Sequence, residues 1–286
     1  MEILNQTCSK MRKQNVSFGK SSIKFIIKKL RYKYLRVFIL KFRPLIQRYA
    51  PKLNLLYIRI KLIYYGGKNL YCPCCEYFFR KFYPQGPSLR SSSVCPNCGS
   101  LERHRLLLLY LFYKTNFFSE KIRVLHFTPS YTLEKKFMKM SNLDYITTAL
   151  DNPRAMIRMD ITNIKFPDDN FDVILCYHIL EHVKNDRRAM QELYRVLKPN
   201  GWAIIQVPID FNLKNTFEDP EIISDEDRAY YYGQRDHLRQ YGRDFIEKLE
   251  NVGFSVKVDD FINEIKDESR KKLGLSENEK IICCFK

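Results

Sequence analysis

The run Asp172-Val173-Ile174-Leu175-Cys176-Tyr177-His178-Ile179-Leu180-Glu181-His182-Val183 constrains the fold more than any other stretch of this chain. It opens as an apolar strand and closes in a cluster of ionisable groups. Residues 191–201, Gln-Glu-Leu-Tyr-Arg-Val-Leu-Lys-Pro-Asn-Gly, read as an amphipathic helix with a stop signal. Residues 202–207 then supply a second buried strand. Strand, polar loop, helix and strand make a βαβ unit, which calls for a parallel sheet with a site at the strand ends.

Other strands follow from the same pattern. Residues 122–127 read as the first strand, 145–150 as the second, 156–159 as a short third and 171–177 as the fourth. A helix is expected from about Leu133 to Met140 and another over 245–251, stopped by Gly253. Residues 254–258 and 281–285 close the series as strands.

The chain carries a net charge of +17, and its distribution divides the molecule. Residues 1–70 hold 17 Lys and Arg against the single acid Glu2, whereas the remaining 216 residues are close to neutral. Apolar residues recur at helical spacing over 20–65, broken near Pro44 and Pro51, which predicts two basic amphipathic helices. Such an arm can pack on the main domain, lie on an anionic membrane surface, or contact nucleic-acid phosphates. The first 20 residues lack a compact apolar core and a small-residue cleavage site, and no stretch reaches about 18 uncharged apolar residues. The expectation is a reducing cytoplasm, with the arm placing the protein at the inner face of a membrane in one of the readings.

Four of the nine cysteines form two tight pairs. Cys72 and Cys75, then 19 residues, then Cys95 and Cys98 give the spacing of two knuckles that present four thiolates to a structural zinc ion. Cys74 competes with Cys75 for one position. A closed four-cysteine site leaves no place for water, so such a zinc folds the segment without catalysing. The division expected is a basic arm over 1–70, a zinc ribbon over 71–100 and a catalytic domain over 101–286. After the second knuckle come Ser100, suited to cap the next helix, and the crowded group Arg103, His104 and Arg105. Two roles are open to that group: holding the ribbon to the domain, or meeting an acceptor through His104 and Arg105.

The strand Phe171–Tyr177, the loop His178-Ile179-Leu180-Glu181-His182 and the helix end Glu192-Leu193-Tyr194-Arg195-Val196-Leu197-Lys198-Pro199-Asn200-Gly201 resemble the class I S-adenosylmethionine-dependent methyltransferases, particularly the type-11 group. The resemblance implies an α/β fold: a Rossmann-like seven-stranded sheet with helices on both faces and an antiparallel last strand. It implies S-adenosylmethionine as cofactor. Asp151, closing the second strand, would accept from the ribose hydroxyls, and Asp160 with Ile161 would meet the adenine. Tyr177 and the first loop, His126, Phe127 and Thr128, would complete the cofactor site. That loop departs from the family pattern: the usual glycine-rich turn is replaced by His126-Phe127-Thr128-Pro129-Ser130.

Two further stretches narrow the resemblance. Cys95-Pro96-Asn97-Cys98-Gly99-Ser100-Leu101-Glu102-Arg103-His104-Arg105 and Asp236-His237-Leu238-Arg239-Gln240-Tyr241-Gly242 resemble a bacterial subgroup associated with surface-polysaccharide biosynthesis. The implied reaction is O-methylation of a sugar or glycan precursor. His237 is the first choice of general base and His178 the second, since imidazole titrates near working pH. Arg239 and Tyr241 are expected to bind the acceptor, while Glu181 and His182 are expected to be structural. Two alternatives stand beside this reading: an RNA or protein methyltransferase that holds its substrate with arm and ribbon, and a catalytically silent Rossmann-like interaction module.

Overall fold

A computed structural model describes residues 64–85, 90–277 and 279–286, without the side chains of residues 90–92. The two basic helices expected over 20–65 lie outside the described residues, apart from Tyr64 and Tyr65. Tyr65–Lys286 form one compact unit.

That unit is built on a seven-stranded sheet in the order β10-β11-β9-β8-β5-β6-β7. Its strands are β5 (Ile122–Phe127), β6 (Leu143–Ala149), β7 (Ile157–Arg158), β8 (Phe171–Tyr177), β9 (Leu197–Gln206), β10 (Ser255–Asp259) and β11 (Ile281–Phe285). The central pairs β5–β6, β5–β8, β6–β7 and β8–β9 are parallel. The terminal strand β11 inserts antiparallel between β9 and β10. This is the mixed sheet of the Rossmann-like methyltransferase fold, as the chain pattern led us to expect.

Alternation along the central strands sorts side chains onto two faces, as the pleat requires. Val124, Val173, Leu175 and Ile204 point to one core, which includes Leu106, Leu107 and Leu111 of helix α1 (Glu102–Lys114). Leu125, Ile174, Cys176 and Ile205 point to the other, against Ala189, Leu193 and Val196 of α3 (Asp186–Val196) and Phe245 and Leu249 of α5 (Phe245–Glu250). Between β5 and β6 runs α2 (Tyr131–Phe137), shorter than the expected helix. The connection from β9 to α5 carries α4 (Asp225–Tyr231), and the connection from β10 to β11 carries α6 (Phe261–Glu264) and α7 (Asp267–Leu273).

The cysteine-rich segment is two antiparallel hairpins, β1 (Gly66–Cys72) with β2 (Tyr77–Phe79) and β3 (Tyr83–Gln85) with β4 (Arg90–Val94). Cys72, Phe79, Phe82 and Cys95 belong to the same core as α1, so the segment packs onto the domain. The two knuckles share one backbone device. Glu76 N donates to Cys72 O at 2.7 Å, and Gly99 N donates to Cys95 O at 3.0 Å. Both fourth-following residues take the left-handed conformation, with φ of 62° at Glu76 and 73° at Gly99. Glycine meets that demand without steric cost; Glu76 does not, and only its place in the chain marks it.

Candidate active site

The carboxyl ends of β5 and β8 open into a cleft of about 240 Å³. Its wall is made by Arg103, His104 and Leu107 of α1, by His126 near the end of β5, by Thr128 and Ser130 after it, by Leu133 of the next helix, and by Tyr177 and His178 at the end of β8. Strand ends in open α/β sheets are where ligands bind, so position alone makes this the leading candidate.

Backbone geometry supports it. The first loop has no glycine, yet Thr128 adopts φ of 46°, and His178 across the cleft adopts 54°. A β-branched residue in the left-handed region is strained, and such strain concentrates at ligand sites. The loop therefore makes the turn that glycine makes elsewhere. Thr128 is held by its N–H donating to Thr148 O at 2.8 Å.

The polar atoms of the wall are not used up by the protein. Ser130 precedes α2 but makes no side-chain cap, and its Oγ is buried without a partner. The Tyr177 hydroxyl is likewise buried and unpartnered. Two orphaned hydroxyls on one cleft wall fit a polar ligand, because a buried polar group without a bond is costly. The histidines add little charge. Burial, then the nearby Arg103, pushes His104 down to about 3, and burial pushes His126 down to about 3. Both are neutral at physiological pH. His104 Nδ1 accepts from Leu101 N at 3.2 Å, and His126 Nδ1 lies 2.8 Å from the Tyr145 hydroxyl.

His178 is the group on this wall suited to move a proton. Its Nδ1 lies 3.1 Å from Glu181 Oε1, so the carboxylate fixes the tautomer with hydrogen on Nδ1 and leaves Nε2 as acceptor. Glu181 is fully buried.

Several of the expected site residues lie away from the cleft wall. Arg105 does not line it. Its buried guanidinium donates to Leu273 O (2.8 Å), Ser93 O (3.1 Å), Ser100 O (2.9 Å) and Gly274 O. It staples ribbon, α1 and the end of α7 together, the first of its two open roles. Arg239 and Tyr241 do not reach the cleft either. Arg239 forms a bidentate pair with Glu218 (2.8 and 2.9 Å) and donates to Leu180 O, Val183 O and Lys184 O. Tyr241 is buried and donates to Asp186 Oδ2 at 2.8 Å. Gly242 in the same motif lets Asn215 pass so closely that a Cβ would sit 2.7 Å from its carbonyl. The motif grips the loop that carries His178 and Glu181. His237 is also buried behind that loop and absent from the cleft wall, with Nδ1 3.0 Å from Tyr232 O.

Of the expected cofactor groups, His126, Thr128 and Tyr177 line the cleft. Phe127 is buried in the core on the α3 side of the sheet. Asp151 stands exposed after β6, 3.4 Å from Arg158. Asp160 Oδ1 accepts from Thr162 N and Oγ1 at 2.8 and 2.9 Å, and Ile161 is buried beside it. These three lie outside the cleft wall, in the loops after β6 and β7. Sequence reading missed Ser130, while Arg103 and His104 of the crowded group do line the cleft.

The cysteines are brought together as their spacing requires. One Sγ each from Cys72, Cys75, Cys95 and Cys98 lies within 4.8 Å of the others, with Cys72–Cys98 and Cys75–Cys95 both at 3.7 Å. A tetrahedron with a metal–sulfur distance of about 2.3 Å has sulfurs about 3.8 Å apart, so the cage has the size for zinc. Cys74 turns away, with its Sγ 3.7 Å from His104 O. Hydrogen bonding with Cys72 pushes the Cys75 and Cys95 thiols up, and four like charges this close repel unless a cation lies among them. Ser100 does not cap α1; its Oγ lies 3.2 Å from both Cys72 and Cys98 Sγ.

Residues 130–205 match the family model described as Methyltransferase domain. The match begins at Ser130, the last residue of the unusual first loop. The 2-phytyl-1,4-naphtoquinone methyltransferase of Nostoc punctiforme is 31% identical over 118 residues, 36% of this chain. The match spans half the length of that relative. The uncharacterized methyltransferase YcgJ of Bacillus subtilis is 44% identical over 39 residues, 14% of this chain and 15% of its own length. Its solved structure aligns at 15% identity with a TM-score of 0.42, covering 64% of this chain and 96% of that one. An SAM dependent methyltransferase from Archaeoglobus fulgidus aligns at 15% identity with a TM-score of 0.42, covering 63% and 93%. Residues 130–205, the stretch that holds β6 to β8 and most of β9, thus carry the likeness to a methyltransferase domain.

Proposed function

We propose that this chain transfers a methyl group from S-adenosylmethionine to a hydroxyl, on a sugar or glycan precursor. The observation that carries the reading is the cleft itself. Within a methyltransferase domain it combines two orphaned hydroxyls, a strained first loop and a carboxylate-oriented histidine. The cofactor supplies a methyl group on a cationic sulfur, which needs an in-line nucleophile. Neutral His104 and His126 keep the wall from repelling that cation. Ser130 Oγ and the Tyr177 hydroxyl offer hydrogen bonds to the cofactor's amino-acid end, on a wall that Arg103 also lines. Asp151 accepts from the ribose hydroxyls, and Asp160 with Ile161 borders the adenine.

His178 takes the acceptor hydroxyl's proton on Nε2 as the oxygen attacks, and Glu181 stabilises the imidazolium that results. His237, the first choice by sequence, gives way because it is absent from the wall. Arg239 and Tyr241 serve as positioning residues for the loop. The sugar class rests on the likeness of the ribbon and the Asp236–Gly242 motif to the polysaccharide-associated subgroup. Cys72, Cys75, Cys95 and Cys98 hold a zinc ion that stabilises the ribbon.

Methyl-labelled cofactor and a panel of nucleotide sugars, oligosaccharides, RNA and total protein test this reading. Label in the sugars, lost in His178→Ala, is the expected result. Label in RNA or protein alone replaces the acceptor class, and no turnover with any acceptor favours the silent module. The naphthoquinone named in the Nostoc relative serves as the further control.

A further inference from the structure

Behind the cleft wall, Glu181, His182 and His237 converge: one ligand atom from each lies within 4.8 Å of the others. Their partners leave the ligating atoms open. His237 Nδ1 lies 3.0 Å from Tyr232 O, and His182 Nδ1 lies 3.0 Å from Asp236 O and 3.4 Å from Asp236 Oδ2. A ring nitrogen facing a carbonyl carries the hydrogen, so each imidazole keeps its Nε2 lone pair. Donation of the second ring N–H to a backbone carbonyl or carboxylate is the arrangement that orients metal-binding histidines. The rings stand edge to face with centroids 4.9 Å apart.

The carboxylate points the same way. Glu181 is fully buried, and while Oε1 bonds His178, Oε2 is buried with no hydrogen-bond partner. A buried carboxylate oxygen left bare needs a cation or donor to offset its desolvation.

We propose that Glu181, His182 and His237 form a second metal site, for a first-row divalent cation of the zinc or cobalt type. Two imidazoles and one carboxylate are a donor set for such ions, and three protein ligands leave coordination positions open. Ligands around a tetrahedral ion sit about 3.3 Å apart, so the three close inward on binding. His182, partly exposed, is the side chain with room to move. The ion joins the loop after β8 to the segment before α5, with Glu181 bridging it to His178. The site is separate from the four-cysteine cage and does not depend on the reaction proposed for the cleft.

Cobalt titration of the full-length protein tests it, read by bound metal and by visible absorption. Cobalt in the cysteine cage shows intense thiolate charge-transfer bands; cobalt on nitrogen and oxygen shows only weak ligand-field bands. The wild type is expected to bind one equivalent of the second kind. His182→Ala should lose that equivalent, with affinity down at least the roughly 10–100-fold that loss of a supporting partner costs. Its thiolate bands should be unchanged. His237→Gln should behave alike. Because the His182 side chain is partly exposed, its variant keeps the test decisive if the His237 variant does not fold. Absence of a nitrogen–oxygen equivalent in the wild type overturns the proposal, as does its retention in either folded variant. An empty cysteine cage would remove the thiolate bands alone, so the two sites fail distinguishably.

Discussion

His178 and Asp151 carry the account at the scale of single residues. His178→Ala should lower turnover by about 10²–10⁴-fold, the usual loss for one general base, while cofactor affinity stays near wild type. Rapid-quench turnover beside calorimetry separates the two effects; unchanged turnover removes His178 from the chemistry. Asp151→Ala should weaken cofactor binding by about 2–3 kcal/mol, roughly a hundredfold, through the loss of charge-assisted hydrogen bonds to the ribose. Calorimetry that finds no change places the ribose elsewhere. Residue types were legible in the sequence, but their direction was not. Arg105, Arg239, Tyr241 and His237 look like a ligand's neighbours in a linear string, because polar groups crowd in short motifs. Folded, the two arginines donate to backbone carbonyls and to Glu218, and the tyrosine to Asp186, contacts that are far apart in sequence. Ser130 was missed because nothing local marks its hydroxyl as buried and unpartnered.

Whole elements were read better, because periodicity and stop signals are local. Strands β5 and β8 fall where the apolar runs place them, and the antiparallel β11 completes the sheet. The connections holding α4, α6 and α7 were not foreseen, since short helices in insertions carry little periodic signal. The Glu192–Arg195 pair shows why one helix end carries so legible a motif. Buried Glu192 accepts from Ile164 N at 2.9 Å and from Arg188 and Arg195, while Arg195 also donates to Ile164 O and Phe166 O. Arg195 holds the Glu192 carboxyl below its ordinary range. The stability this contributes is present above the ordinary carboxylate pKa and is lost as pH falls through the lowered value. Acid unfolding of Glu192→Gln should therefore be shallower than that of wild type below about pH 4.5. An identical profile would show that the pair does not drive acid loss. For the ribbon, Arg105→Met should cost about 2–4 kcal/mol by removing the donor that four backbone carbonyls share, of which Ser100 O keeps another, Cys95 N. Denaturant titration measures it, and a loss under 1 kcal/mol would contradict the stapling role.

Scaled to the whole molecule, charge and chemistry separate. The first 70 residues carry nearly all of the net charge, and among the described residues the cleft is lined by residues after 100. A protein starting at Tyr65 should bind cofactor as the full chain does, and weaker binding would tie the arm to the site. The arm's membrane and nucleic-acid readings stay with residues 1–70, and liposome sedimentation with RNA competition distinguishes them. No helix among the described residues is long and apolar enough to cross a membrane. The central claim is that the cleft between β5 and β8 binds S-adenosylmethionine despite its glycine-free loop. A thermal-shift titration of the full chain tests it most directly. At about a hundredfold excess over Kd, a ligand that binds only the native state adds about 2.7 kcal/mol, which should raise Tm by roughly 5–10 °C in a unit of this size. The rise should continue with the logarithm of cofactor concentration. An unmoved Tm up to millimolar cofactor would contradict the account.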